Sequence, residues 1–212
     1  MRASVASRVV LLLCAALPLG ALAGAWFELA DDWDLRRERD GIEVYTAPVA
    51  GSDFNAFRAV TELCAEVPEL IALIHDVDAF PEWLADTEEA QLIERTDAWQ
   101  RHHVVSDTPW PLDPRDMVYE VRVLDEPDAD PVRVAVIGLP DAEPRAEGAV
   151  RLDRARGGWR LRRGDGRTEV EFEMHVEPGG PVPAWLANMG LVDNPFDTFT
   201  ALRERYPCSA SD

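Results

Sequence analysis

Residues 183–206 read PAWLANMGLVDNPFDTFTALRERY. Within this stretch Trp185, Met189, Val192, Phe196 and Phe199 recur three and four residues apart. That spacing lines up one face of an α-helix. The stretch therefore predicts a long amphipathic C-terminal helix. Asp193-Asn194-Pro195 interrupts it. Proline breaks the hydrogen-bond ladder of a helix interior, so a kink or two consecutive helices are expected here. Asn194 would then cap the second piece, with Pro195 at its first position.

Working back from this helix, the chain reads mostly as strands. Ala149 to Leu152, Trp159 to Arg162 and Thr168 to Val176 form a meander. Its turns are predicted at Gly157-Gly158 and Gly164-Asp165-Gly166. Val132 to Leu139 and Met117 to Leu124 are alternating strands, separated by an exposed loop over Glu126 to Pro131. Pro140 to Gly148 is acidic and irregular. Glu89 to Arg95 and Trp99 to Ser106 are strand-like. The prolines of Pro109-Trp110-Pro111-Leu112-Asp113-Pro114 have no N–H to give a ladder.

Further upstream, Pro68 opens a short helix to His75, with Val67, Leu70, Ile71 and Ile74 as its buried stripe. Phe80 to Leu84 is an apolar corner after it. Ile42 to Thr46 and Phe54 to Leu63 alternate as strands, and Asp40-Gly41 is a turn signal. Trp26 to Arg39 is expected to be helical, because Trp26, Phe27, Leu29, Trp33 and Leu35 fall on one side among charges. The sum is an α+β domain with helices set against an antiparallel sheet. A curved sheet with a long amphipathic helix across its mouth would enclose an apolar space, where hydrophobic ligands bind.

The chain carries 40 acidic residues against 21 basic ones, for a net charge of -19. Every basic residue is arginine. Such a surface keeps a protein soluble. It argues against nucleic acid as a partner, because phosphate binding needs a basic face. Stable docking on an anionic membrane is disfavoured for the same reason, which leaves only transient membrane contact. A monomer is expected.

The first residues, MRASVASRVVLLLCAALPLGALAG, have an Arg-bearing start, a short apolar run and an Ala21-Leu22-Ala23 cleavage signal. These features predict a secretory signal peptide over 1–23 and export, with the bacterial periplasm as destination. The mature domain is expected over 24–207, with a flexible tail over 208–212. Cys64 and Cys208 then remain. Export permits a disulfide between them; the alternative is one buried apolar cysteine and one free thiol. Spacing does not choose.

Several landmarks resemble a known family. Trp33 followed by Asp40-Gly41-Ile42-Glu43-Val44-Tyr45 is similar to the opening of START domains, the steroidogenic-acute-regulatory-related lipid-transfer family. Phe80-Pro81-Glu82-Trp83 resembles the family's tryptophan corner, and Pro109 to Asp116 its proline-rich turn ending in Arg-Asp. Asp141 to Arg145 resembles a Pro-Arg loop, and Pro178 to Asn188 the entry to the C-terminal helix. The landmarks occur in family order across 33–206. The resemblance implies a helix-grip fold, with a curved antiparallel sheet wrapped around the C-terminal helix. It implies non-covalent binding of a lipid-like molecule, and neither a cofactor nor a metal. The family's sterol binders carry an acid and an arginine on neighbouring cavity strands. Here those positions fall near His102 and Val121, so that pair is not reproduced.

Candidate cavity-lining residues are Trp83, His102, Arg115, Trp185, Asn188, Met189, Val192, Phe196 and Phe199. Each has a plainer reading. Arg115-Asp116 is read first as a salt bridge fixing a turn. His102 and His103 are adjacent on a strand, so only one can face inward; an exposed pair is the plainer alternative. Asn188 could equally cap or hold a loop. The helix stripe is also ordinary core. Zinc would need three or four converging ligands, and no such spacing is present. No Gly-x-Ser-x-Gly elbow or His-Glu-x-x-His occurs, and no catalytic residue is assigned. The expected function is binding, and possible transport, of a hydrophobic small molecule. The rivals are an enzyme on the same fold and an interaction module with a collapsed cavity. By the resemblance, the loop Glu126 to Pro131 and the kink at Pro195 would open together to admit ligand.

Overall fold

Asp40 and Gly41 both take positive φ, at 53° and 72°. That is the two-residue turn whose twist matches paired strands. It joins β1 (Asp34–Arg39) to β2 (Ile42–Ala47), with Arg39 opposite Ile42. The helix expected over Trp26 to Arg39 is therefore corrected: its second half is a strand. Pairing with β2 overrides the helical spacing of this charged segment, and β1 is a sheet edge, where charge is favoured.

The computed structural model describes residues 29–108 and 112–208. The segment read as a signal peptide, Trp26, Phe27 and Pro109-Trp110-Pro111 lie outside the described residues. The remaining strands are β3 (Ala56–Leu63), β4 (Thr87–Arg95), β5 (Gln100–Ser106), β6 (Arg115–Val123), β7 (Val132–Gly138), β8 (Val150–Arg151), β9 (Arg154–Arg163) and β10 (Thr168–Glu177). They form one curved sheet in the order β1-β2-β3-β10-β9-β7-β6-β5-β4. Every pairing along that path is antiparallel. Short β8 adds to β6 in parallel.

Gly157 and Gly158 are not a turn. They lie inside β9, paired with Met174 and Glu173 of β10 on one side and with Val136 and Ala135 of β7 on the other. Gly157 has φ +151°, and a Cβ there would sit 1.9 Å from the Glu173 carbonyl oxygen. Glycine is placed here for close backbone approach, a strand-interior use that sequence reads as a break. The predicted turn at Gly164-Asp165-Gly166 does form, with Gly164 N–H donating to the Arg167 carbonyl over 2.8 Å.

Among the described residues, four α-helices lie outside the strands. Helix α1 (Val67–His75) has a reciprocal cap between Glu66 and Glu69 and proline in its first turn. Its Val67, Leu70, Leu73 and Ile74 are buried. One turn, α2 (Phe80–Trp83), follows a 3₁₀ turn over Val77–Ala79. The predicted C-terminal helix is two helices, α3 (Ala184–Gly190) and α4 (Asp193–Arg205). The break falls at Leu191-Val192, before the proline. Asn194 is not the cap: its amide donates to the Ala85 carbonyl and the Asp86 carboxylate.

The main core lies between the sheet's inner face and α1, α2 and α4. It holds Ile42, Val44, Phe57, Leu63, Val121, Val134, Leu161, Phe172 and Phe199, all buried. Burying one such side chain contributes roughly 1.5–3 kcal/mol. A small second cluster sits on the outer face, where Leu29, Val49 and Ala56 pack with Trp33. There Glu173 is buried against Arg58 (2.8 Å), whose guanidinium lies 4.2 Å from the Trp33 ring centre. Burial pushes the Glu173 carboxyl up, and Arg58 opposes it. A disulfide joins Cys64, just after β3, to Cys208, just after α4. Cys208 is thus tied down rather than part of a free tail; residues 209–212 lie outside the described residues.

Candidate functional site

Alternation along the strands aims a run of aromatic side chains at the sheet's inner face. Phe57 of β3 meets Phe172 of β10 edge-on at 5.4 Å. Phe172 stacks on Trp159 of β9 at 3.9 Å. Trp159 lies parallel to Phe199 of α4 at 6.2 Å and edge-on to Trp83 at 6.0 Å. Trp83 and His102 each meet Phe80 at 5.4 Å, and His102 meets Tyr119 of β6 at 5.3 Å. Such contacts are worth about 0.5–1.5 kcal/mol each beyond burial. The run crosses the interior from β3 to β6.

Beneath α1 and α4 this interior leaves an apolar cavity of ≈ 10 Å³, room for the centre of about one water molecule. Leu63, Leu70, Leu73, Ile74, Trp83, Trp159, Leu161, Val170 and Leu202 line it. The Trp83 side chain is only 4% exposed, and its Nε1–H has no hydrogen-bond partner. A buried donor left unpaired costs about 1–3 kcal/mol.

His102 is fully buried on β5. With the neighbouring amide turned to satisfy both its ends, Gln100 donates to the His75 carbonyl (3.1 Å) and to His102 Nε2 (3.0 Å). Its oxygen then accepts from Arg95. His102 therefore carries its proton on Nδ1, which has no partner. Burial, then the nearby His75 and Arg95, pull its pKa down to about 4.

A histidine held neutral in the fold takes up a proton more readily in the unfolded chain, at its ordinary 6.5. Stability is thus lost as pH falls from 6.5 towards 4, by about 3 kcal/mol from this residue. His75 and His175 are also lowered, mainly by burial, and add to the slope. Urea midpoints measured from pH 7 to 4.5 are expected to fall steeply in the native protein and less steeply in His102→Phe. Equal slopes would remove His102 from this account.

The other candidates divide. Phe196 and Phe199 are buried on α4 and face the core. Val192 is half-buried at the helix break. Arg115 is buried but serves the backbone, donating to the Pro178 carbonyl over 3.0 Å and to the Asp113 carbonyl. Asp116 faces the other side of β6 and pairs with Arg151 instead, at 2.7 Å. Asn188 holds a loop: its amide oxygen accepts from Asn55 N–H (2.9 Å), and its Nδ2 donates to the Asp53 carbonyl.

Trp185 and Met189 do not line the cavity; they are 66% and 67% exposed. The stripe drawn through all five residues carries one helical phase across the interruption that the sequence itself predicts. The break at Leu191-Val192 resets the phase, and α3 buries no residue. His103 points outward, with Nε2 3.1 Å from the Asp116 carboxylate. Sequence reading missed Trp159, Phe172 and Tyr119. Strand alternation carries the signal for them, but the glycines before Trp159 read as a turn.

The loop Glu126 to Pro131, an expected gate, is held at several points. Arg163 donates to the Pro127 and Ala129 carbonyls, and its N–H to Asp130. Arg133 grips Asp125 with two contacts at 2.8 and 2.6 Å. Among the described residues, no group of three or more His, Cys, Asp or Glu side chains could hold a metal ion. Among them, no helix is long and apolar enough to cross a membrane.

An antiparallel sheet curved around a C-terminal helix, with an aromatic interior, defines a helix-grip fold of the kind that encloses hydrophobic ligands. The chain belongs to the START domain family, whose model matches residues 22–193. It is 37% identical over 178 residues to the uncharacterized protein PA1579 of Pseudomonas aeruginosa, covering 82% of this chain and 87% of that one. The crystal structure of a STAR-related lipid transfer protein fragment from Xanthomonas axonopodis is 36% identical, with a TM-score of 0.77. That match covers 82% of this chain and 98% of the fragment. Human STARD10 shares the fold at 19% identity and a TM-score of 0.71, covering 88% of this chain and 77% of that one.

Proposed function

We propose that this domain binds one lipid-like hydrophobic molecule non-covalently between its sheet and C-terminal helices, and carries it in an oxidising, extracytoplasmic compartment such as the bacterial periplasm. The observation that carries this reading is the aromatic interior, from Phe57 to Tyr119, in which Trp83 and His102 keep buried donors without partners. Membership of the START family and likeness to a bacterial lipid transfer protein support it. The disulfide supports the compartment.

The cavity of ≈ 10 Å³ is far smaller than the roughly 300–1,000 Å³ of a drug-sized ligand site. Loading therefore requires the interior to open. Helix α3 is the cheapest element to move, because it buries no side chain and ends at Gly190. Its exposed Trp185 and Met189 suit transient contact with an uncharged lipid surface. Burying about 300 Å² of ligand apolar surface gives roughly 7–8 kcal/mol of gross driving force. Opening and ordering reduce that.

The small void also favours a second reading, an interaction module with a filled interior. One experiment separates the two. The mature chain is purified from its own host and weighed by native mass spectrometry, and its organic extract is analysed. A stoichiometric co-purifying lipid is the expected result. An empty protein that also binds no member of a lipid panel would transfer the assignment to the interaction module.

A further inference from the structure

Two faces of α1 border two different spaces. Leu70, Leu73 and Ile74 line the buried apolar cavity. One step round the same helix, Glu69, Ala72, Leu73 and Asp76 line a surface cleft of ≈ 300 Å³. Its far wall is Arg205 and Tyr206, at the end of α4. Leu73 alone among the described residues belongs to both walls. The two spaces are just as close along α4. Leu202 lines the cavity, while Arg205 and Tyr206, a turn further on, line the cleft. One turn is about 5 Å along the axis. A gap is left here because α1 and α4 hardly touch; α4 packs instead on β2, β3 and α2.

We infer that this cleft is the mouth of the ligand site, and that the Leu73 side chain is its gate, admitting a molecule tail-first by an unbranched hydrocarbon chain. The inference rests on the ligand-binding reading above and adds to it the route and the shape of the ligand. The frame of the mouth is fixed on both sides. The Cys64–Cys208 disulfide holds the end of α4, and Arg205 reaches Glu82 at 3.0 Å. On the other side, buried Val67 and Leu70 and the reciprocal Glu66–Glu69 cap hold α1. What remains to move is a side chain. Leu73 is 5% exposed and stands between cleft and cavity. A side chain changes rotamer far faster than packed helices shift. An opening the width of one leucine passes a polymethylene chain end-on and stops a fused-ring skeleton. Beyond Leu73 the tail meets leucine, isoleucine, valine and aromatic rings, so each methylene that enters exchanges water for an apolar wall. Displacement of α3 makes room inside; the way in lies at the opposite end of α4.

The test is the binding kinetics of cis-parinaric acid methyl ester, an uncharged linear chain whose fluorescence rises as it leaves water, followed by stopped flow. Two variants act on the mouth in opposite directions. Ala72→Trp fills the cleft from an exposed helix position outside the cavity wall. Leu73→Ala removes the gate. Association and dissociation should both slow about tenfold in Ala72→Trp with Kd unchanged, because a gate acts on the path and not on the bound state. Association should quicken in Leu73→Ala. An unchanged association rate in Ala72→Trp would overturn the route. So would a weaker Kd carried by faster dissociation alone, which would make the cleft part of the binding surface. A native protein that does not bind the probe would also overturn the inference. A co-purifying lipid would then leave the ligand-binding reading standing, whereas an empty protein that binds no lipid would end both.

Discussion

Breaking the disulfide between Cys64 and Cys208 lowers the stability of the fold by about 5 kcal/mol. The bond closes a loop of 144 residues in sequence separation, almost the whole domain. Freeing so long a loop returns a large conformational entropy to the unfolded chain. The local consequences point the same way. Cys64 follows the last residue of β3, and Cys208 lies two residues beyond the Tyr206 cap of α4. That helix brings Phe196, Phe199 and Leu202 to the core. Near the same end, Arg203 donates to Thr61 Oγ1 and to the Glu62 carbonyl, each over 3.1 Å. The bond therefore clamps the end of the helix that roofs the cavity. Urea unfolding of the oxidised protein, the thiol-reduced protein and the Cys64→Ser, Cys208→Ser double variant measures the effect. The melting temperature should fall by about 10–20 °C in both altered forms. A loss under about 1 kcal/mol would mean that the polar contacts and core packing hold α4 without it.

Most of the sheet was legible because a half-buried strand writes its two faces into every second residue. The alternation in Phe54 to Leu63 marks β3 and separates its two faces; that Phe57, Ala59 and Thr61 lie on the inner one is set by the fold. What was not legible depended on pairing partners. Residues 34–39 carry no alternation of their own and become a strand only because β2 offers its edge across the Asp40-Gly41 turn. Gly157 and Gly158 look like a turn to any local rule, yet the third dimension needs them where β9 presses on β10. The site divided in the same way. Trp83, which lines the cavity, was marked by its resemblance to the family's tryptophan corner; Phe196 and Phe199, marked by helical spacing, belong to the core and not to the cavity wall. Trp185 and Met189 share that spacing but sit beyond the helix break, and a slip of phase turns them to solvent. Adjacent histidines on a strand face opposite sides, so at most one could face inward; only the register with β6 settles that it is His102, leaving His103 on the outer face beside Asp116. The cysteine pairing left no trace in sequence, since nothing local reports a distance between residues 64 and 208.

Replacing Arg151 with methionine is expected to cost about 3–5 kcal/mol, because it strands a carboxylate in the interior. Asp116 is fully buried and Arg151 is 2% exposed. One guanidinium nitrogen of Arg151 reaches the Asp116 carboxylate at 2.7 Å and the Pro144 carbonyl at 2.8 Å. The other reaches the Pro140 and Glu143 carbonyls at 2.6 and 3.1 Å. This one side chain thus pins the irregular acidic segment, 140–149, against the outer face of β6. Asp116 completes the anchor by accepting from Ala146 N–H at 2.9 Å and by its contact with His103. Burial alone would push the Asp116 carboxyl up; the hydrogen bonds from Arg151, Ala146 and His103 outweigh it and hold the group below its ordinary 3.8. The pair therefore stabilises the fold at pH values above 3.8, and this contribution is lost as pH falls below that value. The deficit of Arg151→Met should accordingly be largest near neutral pH and shrink as pH falls below 3.8, because Asp116 takes up its proton first in the variant and in the native protein only at lower pH. A double variant, Arg151→Met with Asp116→Leu, should recover about 2 kcal/mol relative to the sum of the two single changes, because no unpaired charge is left behind. Strict additivity of the two changes, or a deficit independent of pH, would show that Arg151 acts only through the carbonyls of the loop it holds.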